Sequence, residues 1–257
     1  YDVGIVPSTA SISRTSHYIN FISGARVRVG AESIENKINK SANLLTVKKK
    51  FFWDEQKLHQ TERNLDIVRL IGCDLSPEEK KNVRIFLDRK EEAYAERYYE
   101  NIFPDKSKPV FAFHAGAAKV QNRWGKDNFV KLILMLHKKY NPYIVFTSGP
   151  MDGEINNYIK HKLKDHSVES EVMHKMTIRE AASILSRAAL YLSNDTGPMH
   201  AAAYVNARVI GLFGPTKGYE WGPINPRGAY IQSDTESIDD IQAVDVYNFI
   251  NNYLKKQ

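Results

Sequence analysis

Eight consecutive residues, Ser193-Asn194-Asp195-Thr196-Gly197-Pro198-Met199-His200, bring a carboxylate, two hydroxyls, a glycine and an imidazole into one short stretch. They lie between the apolar run Ala189-Leu190-Tyr191-Leu192 and the small-residue run Ala201-Ala202-Ala203, which predicts a buried strand, a tight turn and a helix start. Asp195 or Thr196 can cap the helix, Gly197 lets the backbone approach a ligand closely, and Pro198 is pre-set for a first helical turn. The amides of such a turn, with the positive end of a helix dipole behind them, suit a phosphate or another anion. A strand-to-helix connection that is merely well capped would use the same residues, so the neighbouring strand ends decide between the two.

Val110-Phe111-Ala112-Phe113 runs into His114-Ala115-Gly116, Tyr143-Ile144-Val145-Phe146 into Thr147-Ser148-Gly149-Pro150, and Arg208 to Phe213 into Gly214-Pro215-Thr216. In an open parallel sheet the carboxyl ends of the strands share one edge, and ligands bind there. No GxGxxG follows a strand, and the chain has no Walker A segment, GxSxG elbow or HExxH, which argues against serine hydrolase and zinc protease chemistry. The single cysteine, Cys73, excludes an internal disulfide and a Cys-based zinc cluster and fits a reducing compartment. With 36 Lys and Arg against 30 Asp and Glu, the formal charge of +6 favours an anionic partner. No apolar run approaches a membrane span or a signal peptide.

The 257 residues suffice for one large domain or two modest ones, and alternating strand-like and helical runs predict a parallel α/β sheet. Strands are expected at Val3 to Val6 and Arg26 to Gly30, with a helix around Ser16 to Ile22; the lysine-rich Ser33 to Lys50 reads as a loop or mobile excursion. Leu65 to Ile71 has helical spacing closed by Gly72, Ser76-Pro77-Glu78-Glu79 opens another helix, and Lys90 to Tyr99 reads as a charged one. The polar, proline-bounded Pro104 to Pro109 is placed as the domain boundary, giving domains 1–104 and 105–257. Beyond it, helices are expected at Phe129 to Leu136, Glu154 to Leu163, from the capping box Thr177-Ile178-Arg179-Glu180 to Arg187, and at Asp240 to Leu254. The chain lacks an initiator Met and opens at once on a strand, so the expectation is that natural residues precede Tyr1.

Phe113-His114-Ala115-Gly116, Asn122-Arg123-Trp124-Gly125-Lys126, Ser148-Gly149-Pro150, Asn194 to His200, and Leu212 to Thr216 with Trp221-Gly222-Pro223 together resemble glycosyltransferase family 9. These are the bacterial heptosyltransferases of lipopolysaccharide core assembly. The ordered set covers Val110 to Pro223; Tyr1-Asp2, Gly24-Ala25-Arg26 and His59 with Glu62-Arg63-Asn64 are similar more weakly. The resemblance implies a GT-B architecture of two Rossmann-like domains with parallel sheets, the first incomplete here and the last helix able to cross back to it. It also implies inverting, metal-independent transfer without a cofactor, from a nucleotide sugar, usually ADP-heptose, to an anionic glycolipid or saccharide. Nucleic acid is not an expected partner. The place implied is the bacterial cytoplasm, with room for peripheral association at the inner membrane's inner face.

By the same resemblance Asp195, Thr196, Gly197 and His200 line the donor diphosphate, and Gly116 and Gly149 sit in the donor-side turns. A surface histidine and a loop-holding aspartate are the plainer readings of His200 and Asp195. Met176 has the spacing of a family methionine near the adenine, and equally that of an apolar staple before a helix. Asp152 and Glu154 can accept hydrogen bonds from ribose hydroxyls or complement a helix dipole. The family usually carries a lysine where this chain has Asn122, so the leaving diphosphate would depend on Lys119, Arg123 or Lys126, each equally open to being a solvated loop charge. Trp124 reads as a packing anchor. Arg14, after the first strand, is an acceptor-side candidate or a surface arginine, and the family's general base falls ahead of Tyr1. Two rivals stand beside transfer: a nucleotide-sugar epimerase of the same shape, which needs no acceptor, and a silent nucleotide- or sugar-binding protein.

Overall fold

The computed structural model describes residues 1–81 and 83–255. It divides into two compact units, Tyr1–Asn82 with Tyr219–Trp221, and Val83–Gly218 with Gly222–Gln257.

The first unit runs β1 (Val3–Val6), α1 (Arg14–Ile22), β2 (Val27–Ile34), β3 (Lys37–Ile38), β4 (Val47–Phe51), α2 (Gln60–Arg69) and α3 (Pro77–Lys81). β2 is the hub: β1 and β4 pair with it in parallel, and β3 folds back on its end as an antiparallel hairpin. Val29, Ala31, Ile34, Phe51, Trp53 and Ile67 form the core, with the Phe51 and Trp53 rings stacked at 4.5 Å. The expected loop at Ser33 to Lys50 is therefore corrected. It holds the end of β2, the β3 hairpin and most of β4, whose three lysines stay exposed while Phe51 is buried. Lysines are the usual side chains of an edge strand, and they masked this one.

The second unit runs α4 (Arg89–Ile102), β5 (Val110–His114), α5 (Lys126–Tyr140), β6 (Tyr143–Thr147), α6 (Gly153–Lys164), β7 (Ser170–Met173), α7 (Ile178–Leu185), β8 (Leu190–Asn194), α8 (Gly197–Tyr204), β9 (Val209–Phe213), α9 (Gly218–Trp221), β10 (Gly228–Gln232) and α10 (Ala243–Lys255). Its sheet has the order β10-β9-β8-β5-β6-β7 and every pairing is parallel. All residues of β5, β8 and β9 are buried, which is why they read as unbroken apolar runs. The chain winds outward from β5 to β7, returns, and winds the other way from β8 to β10. The order thus reverses between β5 and β8, and such a switch point is where a doubly wound sheet opens a crevice.

The compact units part at residues 82 and 83, not at Pro104 to Pro109. Helix α4 stays with the second unit because it packs on α7: Tyr99 Oη donates to the Ile184 carbonyl at 3.2 Å, and Arg179 pairs with Glu91. Helix α10 packs on α5, burying Val246 and Ile250, and Tyr140 Oη donates to Asn251 Oδ1 at 2.6 Å. Among the described residues no helix is long and apolar enough to cross a membrane.

Candidate functional site

At the switch point β5 and β8 lie side by side, with His114 opposite Ser193. The next residue, Asn194, is fully buried and uses its whole amide: Nδ2 donates to the Ala115 and Gly116 carbonyls at 2.9 and 3.2 Å, and Oδ1 accepts the Trp124 amide at 3.2 Å. One side chain thus ties both ends of the loop after β5 to the end of β8. Trp124 is sealed in beside it, donating Nε1 to the Ile241 carbonyl at 2.8 Å and meeting Phe129 edge to face. It is the packing anchor its position suggests.

A second buried polar cluster joins the turns after β5 and β6. Asp152 Oδ2 accepts the Gly149 amide at 2.7 Å and lies 3.7 Å from His114 Nε2. His114 Nδ1 is 2.9 Å from Thr147 Oγ1, which is 3.0 Å from the hydroxyl of the enclosed Tyr191. Burial pulls the His114 imidazole below its ordinary range, with Asp152 opposing, and burial pushes the Tyr191 phenol up. Gly116 abuts the same carboxylate, since a Cβ there would come 1.9 Å from Asp152 Oδ1. Of the expected donor-side residues, Gly116, Gly149 and Asp152 are brought together. His114, Thr147, Tyr191 and Asn194 complete the framework; the sequence signal of His114, Thr147 and Asn194 is a polar group at the end of an apolar strand, whereas Tyr191, the second residue of β8, reads as part of the apolar run.

The turn between β8 and α8 is open at Gly197. Thr196 occupies the N-cap position, yet its hydroxyl makes no cap bond and pairs with Ser193 Oγ at 3.1 Å. The expected side-chain cap is thus corrected: Pro198 has no N–H to offer, and the Met199 amide already bonds the Thr196 carbonyl at 3.1 Å. The Gly197 amide has no partner among the described residues, and a Cβ added there would meet nothing within 4 Å. Asp195 accepts no turn amide among the described residues; its carboxylate lies 3.9 Å from His200 Nε2. Burial lowers the His200 pKa, with Asp195 partly opposing, so the free imidazole is neutral near pH 7. A diphosphate beside it would favour the imidazolium.

The flanking cations differ in how they are held. Arg123 is half-buried, its Nε donating to the Ala117 carbonyl at 2.7 Å, and its two terminal nitrogens have no partner among the described residues. Lys119 is exposed. Asn122 is buried with Oδ1 unpartnered among the described residues. Met176 is half-buried just before Thr177, whose capping box with Glu180 is formed, and Glu154 is exposed in the first turn of α6. Arg14 lies in the first unit, exposed at the start of α1, where Ser13 caps by accepting the Ser16 amide at 3.2 Å. Among the described residues no group of three or more His, Cys, Asp or Glu side chains is placed to hold a metal ion.

The model of glycosyltransferase family 9 (heptosyltransferase) matches residues 14–249, and the chain belongs to that family. Lipooligosaccharide heptosyltransferase 2 of Campylobacter jejuni is 22% identical over 183 residues, 70% of this chain and 55% of that protein. The chain thus spans little more than half the length of this curated relative. The solved glycosyltransferase family 9 structure from Veillonella parvula matches with a TM-score of 0.80 at 17% identity, over 100% of this chain and 74% of that one. E. coli heptosyltransferase WaaC, solved with ADP, matches with 0.69 at 17%, over 98% and 73%. These structural likenesses establish the fold: a parallel α/β architecture of the GT-B heptosyltransferase type.

Proposed function

We propose that the protein transfers a sugar, heptose from ADP-heptose, to a lipopolysaccharide core acceptor, with inversion and without metal or cofactor. The observation that carries this reading is the open turn at Thr196 and Gly197, placed with His200 at the switch point of a chain of this family. An acceptor hydroxyl attacks the anomeric carbon as the bond to the nucleoside diphosphate breaks. The Gly197 amide, the Thr196 hydroxyl, His200 and a cation meet the growing negative charge of the leaving group. Arg123 supports that cationic role better than Lys119, because it is anchored on the Ala117 carbonyl. A carboxylate is needed to take the hydroxyl proton, and the residues described supply no assigned base. The net charge of +6 supports a phosphorylated acceptor reached in the cytoplasm at the inner membrane's inner face.

The test is calorimetry with ADP, UDP and GDP on the wild type and on Gly197→Val. ADP should bind best and lose affinity in the variant, whose new side chain enters open space and leaves the fold intact. Equal affinity for the three nucleotides, or no loss in the variant, would refute the assignment.

A further inference from the structure

The least expected placement in the second unit is that of Asp152. It holds the N-cap position of α6 but makes no cap bond, and it is only 7% exposed. Its carboxylate is turned back against two glycine turns, accepting the Gly149 amide on Oδ2 while the backbone of Gly116 presses on Oδ1. Behind it stand His114, Thr147 and Tyr191. A negative charge at the edge of an anion site repels the ligand, so a carboxylate with no other duty there would only weaken binding.

We propose that Asp152 is a positioning residue: its carboxylate, backed by His114, locks the turns after β5 and β6 into the shape that an incoming diphosphate reads, and does not itself contact the ribose. The proposal rests on the reading of these loops as the donor-diphosphate site. Its chemistry is local. The Gly149 amide is held inward, and Gly116 is the one residue type that lets its turn lie flat on the carboxylate. Asn194 fixes the other side of the same turn by donating to the Gly116 carbonyl. Asp152, after β6, and Asn194, at the end of β8, therefore grip the turn after β5 from the two strands that flank it.

Asp152→Asn separates the possibilities, because it keeps shape and removes charge. Binding of ADP and of inorganic diphosphate is measured by calorimetry, with circular dichroism verifying the fold. The proposal expects both affinities to fall by the same factor, about tenfold, the size of one lost charge-assisted contact. A fall for ADP alone would mean a ribose contact, and tighter binding of both would mean simple repulsion; either result overturns the positioning role. Should Asp152→Asn fail to fold, His114→Gln serves in its place, since it removes the backing and leaves the carboxylate; unchanged affinity for both ligands would also overturn the proposal. If the wild type binds neither ligand, the donor-site reading itself fails, which is a separate outcome.

Discussion

The amide of Trp124 donates to Oδ1 of Asn194, 70 positions further along the chain, at 3.2 Å, and this bond closes the loop after β5 onto the end of β8. The same Asn194 side chain satisfies the Ala115 and Gly116 carbonyls. Asn194→Ala orphans three buried backbone groups and should destabilise the fold by about 2–4 kcal/mol. Thermal unfolding should then shift down by about 5–10 °C. Asn194→Asp keeps an acceptor for Trp124 but faces two carbonyls with a charge and no donor, so it should be at least as harmful. A milder effect of Asp than of Ala would show that the retained Trp124 bond outweighs the charge set against the two carbonyls.

Gly116 and Asp152 should be thermodynamically coupled. Gly116→Ala places a methyl 1.9 Å from Asp152 Oδ1, and the three nearest atoms all belong to that carboxylate. In the wild type the substitution should cost about 1–3 kcal/mol through forced displacement. In an Asp152→Ala background most of that cost should vanish, giving an interaction energy of about 1 kcal/mol or more. Additive unfolding free energies would mean that the turn relaxes elsewhere.

Much of this architecture was legible because apolar runs betray buried parallel strands: β5, β6, β8 and β9 stand out in sequence, and the turns after β5, β6 and β8 carry the residues of the candidate site. The strands that went unread are edge strands. In β7, Ser170 and Glu171 interrupt the apolar pattern, β10 has no fully buried residue, and β4 carries three lysines. The compact units divide at residues 82 and 83, although Pro104 to Pro109 looks like a linker, because the packing of α4 on α7 depends on Tyr99 and Arg179, whose partners are far apart in sequence. The duties of Asn194 and Asp152 were hidden for the same reason. A polar residue at a strand end shows that a site exists, but only the folded register shows which backbone groups it holds.

The two candidate cations should separate in kinetics. Arg123 is tethered through Nε with its terminal nitrogens uncommitted, while Lys119 is exposed and would have to be ordered on each turnover. Arg123→Ala should therefore slow transfer more than Lys119→Ala. In both variants kcat should fall further than ADP affinity, as expected of groups that act on developing leaving-group charge. Steady-state rates with an acceptor, set beside calorimetric ADP affinities, check this. Equal turnover in both variants and wild type would remove both residues from the reaction.

Ligand binding should take up a proton at His200. In the free protein burial holds this imidazole below its ordinary pKa of 6.5, with Asp195 at 3.9 Å only partly compensating. A diphosphate at the Gly197 amide stabilises the charged ring, so the bound pKa rises, and affinity should strengthen as the pH falls from neutrality toward the free pKa. Folding stability should move in the opposite sense. His114 and His200 both have depressed pKa values, so the unfolded chain binds more protons in the window below 6.5. Their contribution is complete above 6.5 and lost as the pH drops through that window. ADP titrations in buffers of different ionisation enthalpy should report net proton uptake near neutral pH, and His200→Gln should abolish it. Uptake that persists in the variant would move the titrating group to His114 or elsewhere, and proton release would contradict the placement of the diphosphate beside His200.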